Sequence, residues 1–357
     1  MDNVVLDTNA ALPILHLNGT AYENGLQHGK LLQQEIHALV GLWKQDLAEK
    51  YQLPADTFIT RFLNSTNYIP AIEKWTPELL DEVKGISQGA GMEFNTLFAF
   101  QLIDEIWTNG KFINNAHHCT SVGINNYKKD GSSNFIAQNI DVTPFYHGFE
   151  VLLDIQDRKS GTRKLVTTFA GYIGINGINR QIGVTENSLT ALKSAKDGLP
   201  VCFVSRGILE KKSFDEAVSF VKQVKHASGQ NYTIGSTHHI ISLECAADLI
   251  TEYWPDSSKL YTFHANRPLT NTSYHASYVD LSHVYGIDHR FETMKNKLLN
   301  QKSIGLATIK DALATKPICN TNTFASTIME FHTDYSELHI ASGNLDSLAY
   351  MQLRIDK

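Results

Sequence analysis

The chain has 357 residues, of which 42% are hydrophobic and 19% charged, with a formal net charge of −6. That is enough apolar material for one large domain or two ordinary ones, and the mild acidic excess argues against a nucleic-acid groove, which needs clustered Lys and Arg. The first residues lack a basic start followed by a long apolar run, and no stretch approaches the roughly 18 uninterrupted apolar residues of a membrane span, so a cytoplasmic protein with no membrane or nucleic-acid partner is expected.

The first third reads as helical. Leu32, Ile36, Leu39, Val40, Trp43 and Leu47 recur at steps of three and four and make one apolar face. Thr76-Pro77 ahead of ELLDEVKGI is a start signal, a capping hydroxyl followed by proline in the first turn. Leu79, Leu80, Val83 and Ile86 supply the apolar side of that helix, and Gly89-Ala90-Gly91 stops it. FNTLFAFQLIDEIW (94–107) predicts another buried helix.

The pattern changes at Cys119. TSVGINN, SNFIAQNID, FEVLLDIQ and KLVTTFA are short runs rich in β-branched and aromatic residues, with turn signals between them. KKDGSSN (128–134) has the composition of a hairpin loop. Ser213 and Glu216 form an S-x-x-E capping box ahead of AVSFVKQV. Strand-like runs return at HHIISLE, and again at FASTIMEF, SELHIA and LAYMQLRI. Helices, strands, helices and strands in that order fit a layered α+β domain with largely antiparallel sheets.

The four cysteines, Cys119, Cys202, Cys245 and Cys319, are few and widely spaced, as free thiols are. A lone cysteine at a strand start is usually a small buried hydrophobe. Cys119 differs in standing where the helical part ends, among His117, His118, Thr120 and Ser121. The adjacent pairs His117-His118 and His238-His239 each offer only one ligand per strand face, and no H-E-x-x-H or C-x-x-C occurs, so no metal and no cofactor is expected. The glycine-rich GYIGINGIN (171–179) fits tight turns between strands better than phosphate binding. Asp141 ends the run FIAQNID. Pairing through the 128–134 hairpin would bring it near Cys119, and capping a turn is the alternative. The papain-type C-G-x-C-W context is missing.

GTAYENGLQHGK (19–30), EVKGISQGAGM (82–92), HCTSVG (118–123), QNID (138–141), GYIGINGINRQIGVTENSL (171–189) and HANR (264–267), in this order, resemble the acyl-coenzyme A:6-aminopenicillanic acid acyltransferase family, the cysteine N-terminal-nucleophile hydrolases of peptidase family C45. The resemblance spans nearly the whole chain. It implies a four-layer αββα sandwich with two antiparallel sheets. It also implies a zymogen that cuts itself between His118 and Cys119, leaving associated segments 1–118, mostly helical, and 119–357, catalytic. Carried over by position, Cys119 is the nucleophile and, through its freed α-amine, the base. Asp141 orients that amine, and Asn266 donates to the oxyanion. The implied activity is cleavage of a small N-acyl amine or amino-acid conjugate, with acyl transfer to an acceptor amine as the related reaction.

Two positions depart from the family. His118 stands where glycine usually precedes the nucleophile, which keeps open the alternative of an unprocessed, inactive relative serving as a binding protein. Asn322 stands where the family's acyltransferase carries an arginine, and no sequence neighbour replaces the charge, which argues against a penicillin-type substrate.

Overall fold

The structure, a computed structural model, describes residues 5–7, 12–109, 119–159, 161–276, 288–299, 301, 303–343 and 350–357. His117 and His118, and with them the amino side of the expected cut, lie outside the described residues.

The chain opens with β1 (Leu6–Asp7) and β2 (Ile14–Gly19). A helical run follows: α1 (Ala21–Leu31), α2 (Gln33–Tyr51), α3 (Ala55–Asn64), α4 (Ile69–Trp75), α5 (Pro77–Ala90), α6 (Phe94–Phe100) and α7 (Ile103–Asn109). Next come β3 (Thr120–Ile124), the short α8 (Asn126–Asp130), β4 (Asn134–Asp141), β5 (Glu150–Asp157), β6 (Arg163–Phe169), β7 (Asn176–Asn179) and β8 (Ile182–Ser188). Helices α9 (Val201–Leu209) and α10 (Phe214–Gln223) lead to β9 (Gln230–Ser236), β10 (Ile240–Cys245), β11 (Ile250–Glu252) and β12 (Tyr261–His264). Helices α11 (His289–Leu299) and α12 (Leu306–Ala314) precede β13 (Thr323–Phe331), β14 (Tyr335–Ser342) and β15 (Met351–Asp356).

The described strands form two sheets, ordered β1-β2-β5-β6-β7-β8-β9-β10-β11 and β12-β3-β4-β13-β14-β15. Period-two alternation sorts their side chains into layers. Leu15, Leu153, Val166, Val184 and Ile234 of the larger sheet pack with Ile36, Trp43, Val83 and Phe203 from the helices on its outer face. Leu152, Leu165 and Ile178 meet Ile136, Met329 and Leu338 between the sheets. Val122, Phe135 and Ile328 meet Met294, Leu298 and Leu313 of α11 and α12 on the far side. The fold is α+β with two sheets, layered αββα. The sheets are antiparallel except that β2 pairs parallel with β5. The first third is therefore not purely helical, because PILHLNG supplies a strand of the larger sheet.

Local chemistry accounts for most element ends, with three departures from the sequence reading. The 94–107 segment is two helices, broken at Gln101, whose side chain bonds the Gly171 carbonyl at 2.8 Å and accepts from the Ile173 amide at 3.0 Å. Thr76 precedes α5 but makes no side-chain cap bond; Pro77 in the first turn does the starting. The box at Ser213 is half made: Ser213 accepts from the Glu216 amide, while Glu216 turns to the Lys212 amide. The complete capping box of the amino-terminal region is Thr20–Glu23, at the head of α1.

Gly91 ends α5 in the left-handed conformation, with φ of 64°. Gly89 has another task. Gly25 and Gly29 of α1 face Gly85 and Gly89 of α5 so closely that a Cβ on Gly25 would lie 2.0 Å from the Glu82 carbonyl oxygen, and one on Gly89 2.2 Å from that of Leu26. Gly25→Ala should therefore force the helices apart and lower stability by about 2–3 kcal/mol, the cost of overpacking a tight core. Gly41→Ala in α2, where a Cβ meets nothing within 4 Å, should be neutral or stabilising; thermal unfolding of both variants checks the contrast.

Candidate active site

Cys119 leads directly into β3. The β3–β4 ladder pairs Thr120 with Asn139, so Asp141, two residues further along β4, lies alongside Cys119. The hairpin inferred from composition is present, with the short α8 inside its connection. On its other edge β4 pairs with β13, placing Thr323 opposite Asp141.

Asp141 is fully buried. The Asn320 side-chain amide donates to its Oδ2 at 2.7 Å and the Thr323 hydroxyl to its Oδ1 at 2.7 Å. Burial pushes the carboxyl up to about 6, and those two donors and the nearby Arg290 charge hold it from rising further. The Cys119 thiol is pushed up to about 12, chiefly by burial and then by the Asp141 charge; a backbone hydrogen bond from Asp141 works the other way. A thiol in that state is protonated at neutral pH and needs a base to become a nucleophile.

Asn266 follows β12. Its loop is gathered by Glu244, whose carboxylate accepts from the amides of Leu269, Thr270 and Asn271 and lies 2.8 Å from His264 Nε2. Asn266 Nδ2 donates to the Ser188 carbonyl at 3.0 Å, and its Oδ1 accepts from Arg290 Nη2 at 3.2 Å. The guanidinium contact fixes which end of the amide is the donor.

Arg290 is a site residue that the sequence reading did not single out. The first turn of α11 brings its buried guanidinium to Cys119 from a distant part of the chain. It bonds the Cys119 carbonyl oxygen at 3.0 Å, the Thr120 hydroxyl at 3.3 Å and Asp288 at 3.0 Å besides Asn266. Asn322 lies beside the same site, its carbonyl accepting from the Val142 amide. Nothing local in HRFETMK marks Arg290 as more than a helix-start arginine.

Cys119 and Asp141 line a cavity partly open to solvent, walled by Ile103, Trp107, Ile140, Tyr146, Phe169 and Tyr172, with Asp104, Glu186 and Ser188 also facing it. Glu186 accepts from the Ser205 hydroxyl, and burial holds its carboxyl well above the usual range. Asp104 accepts from Ser188 at 2.6 Å and Gln230 at 3.2 Å, both on Oδ1. Sequence reasoning missed both acids. Glu186 left a faint signal, a carboxylate inside an otherwise apolar and small-residue strand run, IGVTENS.

A cysteine, an aspartate, an oriented amide donor and a cavity, at the edge of an αββα sandwich, define an enzyme of the N-terminal-nucleophile class, an amidase or related N-acyltransferase. The chain belongs to the acyl-coenzyme A:6-aminopenicillanic acid acyl-transferase family, whose model matches residues 127–329. That span begins after Cys119 and takes in Asp141, Asn266 and Arg290. Among curated proteins, the chain is similar to the acid ceramidase of Rattus norvegicus, at 24% identity over 79% of this chain and 77% of that protein. It is also similar to protein dcd1B of Dictyostelium discoideum, at 21% identity over 68% and 52%. Among solved structures, a Caenorhabditis elegans N-acylethanolamine-hydrolyzing acid amidase ortholog aligns with a TM-score of 0.46 and 19% identity, covering 59% of this chain and 92% of that one.

The hydrogen bond from Thr323 is one of the interactions that keep the Asp141 carboxyl from rising above about 6. Thr323→Val removes it, so the carboxyl should rise further and ionise only at higher pH. The acid limb of the pH–rate profile should then move to higher pH, while the rate on the plateau changes little.

Proposed function

We propose that the chain is an autoprocessing amidase that cleaves a small N-acyl amine or amino-acid conjugate through a thioester on Cys119. The observation that carries this reading is that Cys119 and Asp141 line one largely apolar cavity while Arg290 ties the Cys119 carbonyl to the Asn266 side chain. The family description, an acyl-transferase, and the similarity to an acid ceramidase support it.

The first reaction is internal. The Cys119 sulfur adds to the carbonyl carbon of His118, the C–N bond breaks, and the acyl group of the upstream segment passes to sulfur as a thioester. Water hydrolyses that thioester, leaving a carboxylate on His118, a free thiol and a free α-amine on Cys119. Residues 1–118 and 119–357 remain associated in this reading, since β2 is paired within the larger sheet and the amino-terminal helices share its core.

The α-amine, with a reference pKa of about 7.7–8.0, then supplies what the buried thiol lacks. It accepts the thiol proton as sulfur adds to the substrate carbonyl, and Asp141 balances the resulting ammonium. The Asn266 amide has one N–H on the Ser188 carbonyl and a second available to the oxyanion, worth about 2.7–4 kcal/mol in the transition state. The ammonium returns its proton to the departing nitrogen, the C–N bond breaks, and water releases the acid from the thioester. An amine bound in place of that water would take the acyl group instead.

The cavity narrows the acyl group. Its aromatic and aliphatic walls favour an apolar chain, and the acids Asp104, Asp141 and Glu186 with no Lys or Arg among its described lining residues disfavour an acyl group bearing its own carboxylate.

Mass analysis of freshly expressed protein should show two fragments parting before Cys119, with native size unchanged, and Cys119→Ala should stay whole and inactive. Iodoacetamide should label position 119 quickly in cut protein and slowly in uncut protein, whose thiol is pushed up to about 12. Asn266→Ala should lower kcat by about 10²–10³. A wild-type chain that stays whole, with no thiol reactivity at 119, would favour the binding-protein alternative.

A further inference from the structure

The far end of the β13–β14 hairpin carries an arrangement that catalysis does not use. Glu330 and Glu337 are directly opposite each other across the ladder, a like-charge pairing that destabilises an antiparallel pair. Both are largely buried, with side chains 14% and 12% exposed. Among the described residues no Lys or Arg lies within ion-pair distance of either carboxylate; only His332 and His339 do. Arg354 of β15 is the partner of Glu337 in the ladder, but its guanidinium stacks on Tyr335 at 3.7 Å and bonds Asp356 at 2.6 Å.

His339 completes the group. It stands two residues beyond Glu337 on the same face of β14 and is 2% exposed. Its Nε2 is buried and makes no hydrogen bond. That nitrogen lies 3.6 Å from Glu330 Oε2 and 3.6 Å from Glu337 Oε2. Both separations exceed the 2.7–3.2 Å range of an N–H···O bond. They match the ligand-to-ligand edges, about 3.3–3.6 Å, of a tetrahedral site with metal–ligand bonds near 2.0–2.2 Å. The three donor atoms all lie within 4.8 Å of one another. His332 Nε2 lies 3.2 Å from the other oxygen of Glu330, and its Nδ1 contacts the Ser133 hydroxyl at 3.0 Å, so it is positioned to steer Glu330 from behind.

We propose that Glu330, Glu337 and His339 bind a divalent transition-metal ion, with water filling the remaining position. Two carboxylates and one imidazole, with no sulfur, suit zinc or manganese; calcium and magnesium prefer all-oxygen sets. The ion would cancel the opposed charges and clamp the hairpin end. The spacing of Glu337 and His339 puts both on one face of β14, and the β13–β14 register adds Glu330.

The test uses the full chain carrying Cys119→Ala, which removes the active-site thiol as a competing ligand. Protein stripped with EDTA is titrated with zinc chloride by calorimetry, bound metal is counted after gel filtration, and Tm is recorded with and without zinc. The expected result is one zinc per chain, a zinc-dependent rise in Tm, and at least a tenfold loss of affinity, with loss of the Tm response, in Glu337→Gln and in His339→Gln. Glu337→Gln relieves the opposed charges, so without metal it should melt at or above the parent temperature, which separates lost binding from lost folding. Absence of stoichiometric zinc or manganese binding overturns the proposal. Zinc binding that survives unchanged in both variants overturns it too.

Discussion

Thr120 pairs with Asn139 across the β3–β4 ladder, and on that register everything at the active site depends. It brings Asp141 next to Cys119, whose thiol takes a backbone hydrogen bond from Asp141, and the adjoining ladder sets Thr323 against Asp141 from the other side. Strand side chains alternate between faces, so a slip of one residue in β4 would turn the Asp141 carboxylate to the opposite face, away from Thr323 and Asn320. The layers on both faces of the sheet resist such a slip, because Val122 and Phe135 would leave the α11–α12 core and Ile136 would leave the core between the sheets.

Given that register, burial shapes the electrostatics. The same dry environment that pushes the thiol up to about 12 also pushes Asp141 up to about 6. The thiol is held protonated and unreactive, while the carboxyl is still ionised at neutral pH by virtue of Thr323, Asn320 and Arg290. In the proposed reaction a terminal amine on the same residue would supply the base, with no further element of the fold having to move. Arg290 ties the carbonyl of Cys119 to the oxygen of Asn266, so Cys119 and Asn266 are held to one rigid group. Strand β13 serves two ends of the molecule, with Thr323 on Asp141 and Glu330 at the hairpin end opposite Glu337.

Much of the fold and part of the site were legible in the chain. The helical face from Leu32 to Leu47, the strands after Cys119 and the three closing strands follow from periodicity, because one buried face imposes a repeat of 3.6 or 2. The site residues Cys119, Asp141 and Asn266 came from motif order, and of these only the nearness of Asp141 to Cys119 could be argued physically, through a local hairpin. Where local signals failed, a tertiary partner had intervened. Gln101 breaks the 94–107 helix by bonding the turn at Gly171–Ile173, and Gly89 reads as a helix stop but is a contact surface for α1.

The sequence by itself determined most of the helical and strand segments, the lack of clustered Lys and Arg or of a long apolar span, and, through the order of its motifs, the expectation that Cys119 is the nucleophile. The tertiary structure alone decided that Arg290 meets the Cys119 carbonyl, that Glu186 and Asp104 line the same pocket as Cys119, and that β2 joins the larger sheet in parallel. The reason is physical. Periodicity and capping act over a few residues, whereas Arg290 meets Cys119 across a separation of 171 positions, and such contacts are set by how layers stack, which no local pattern encodes.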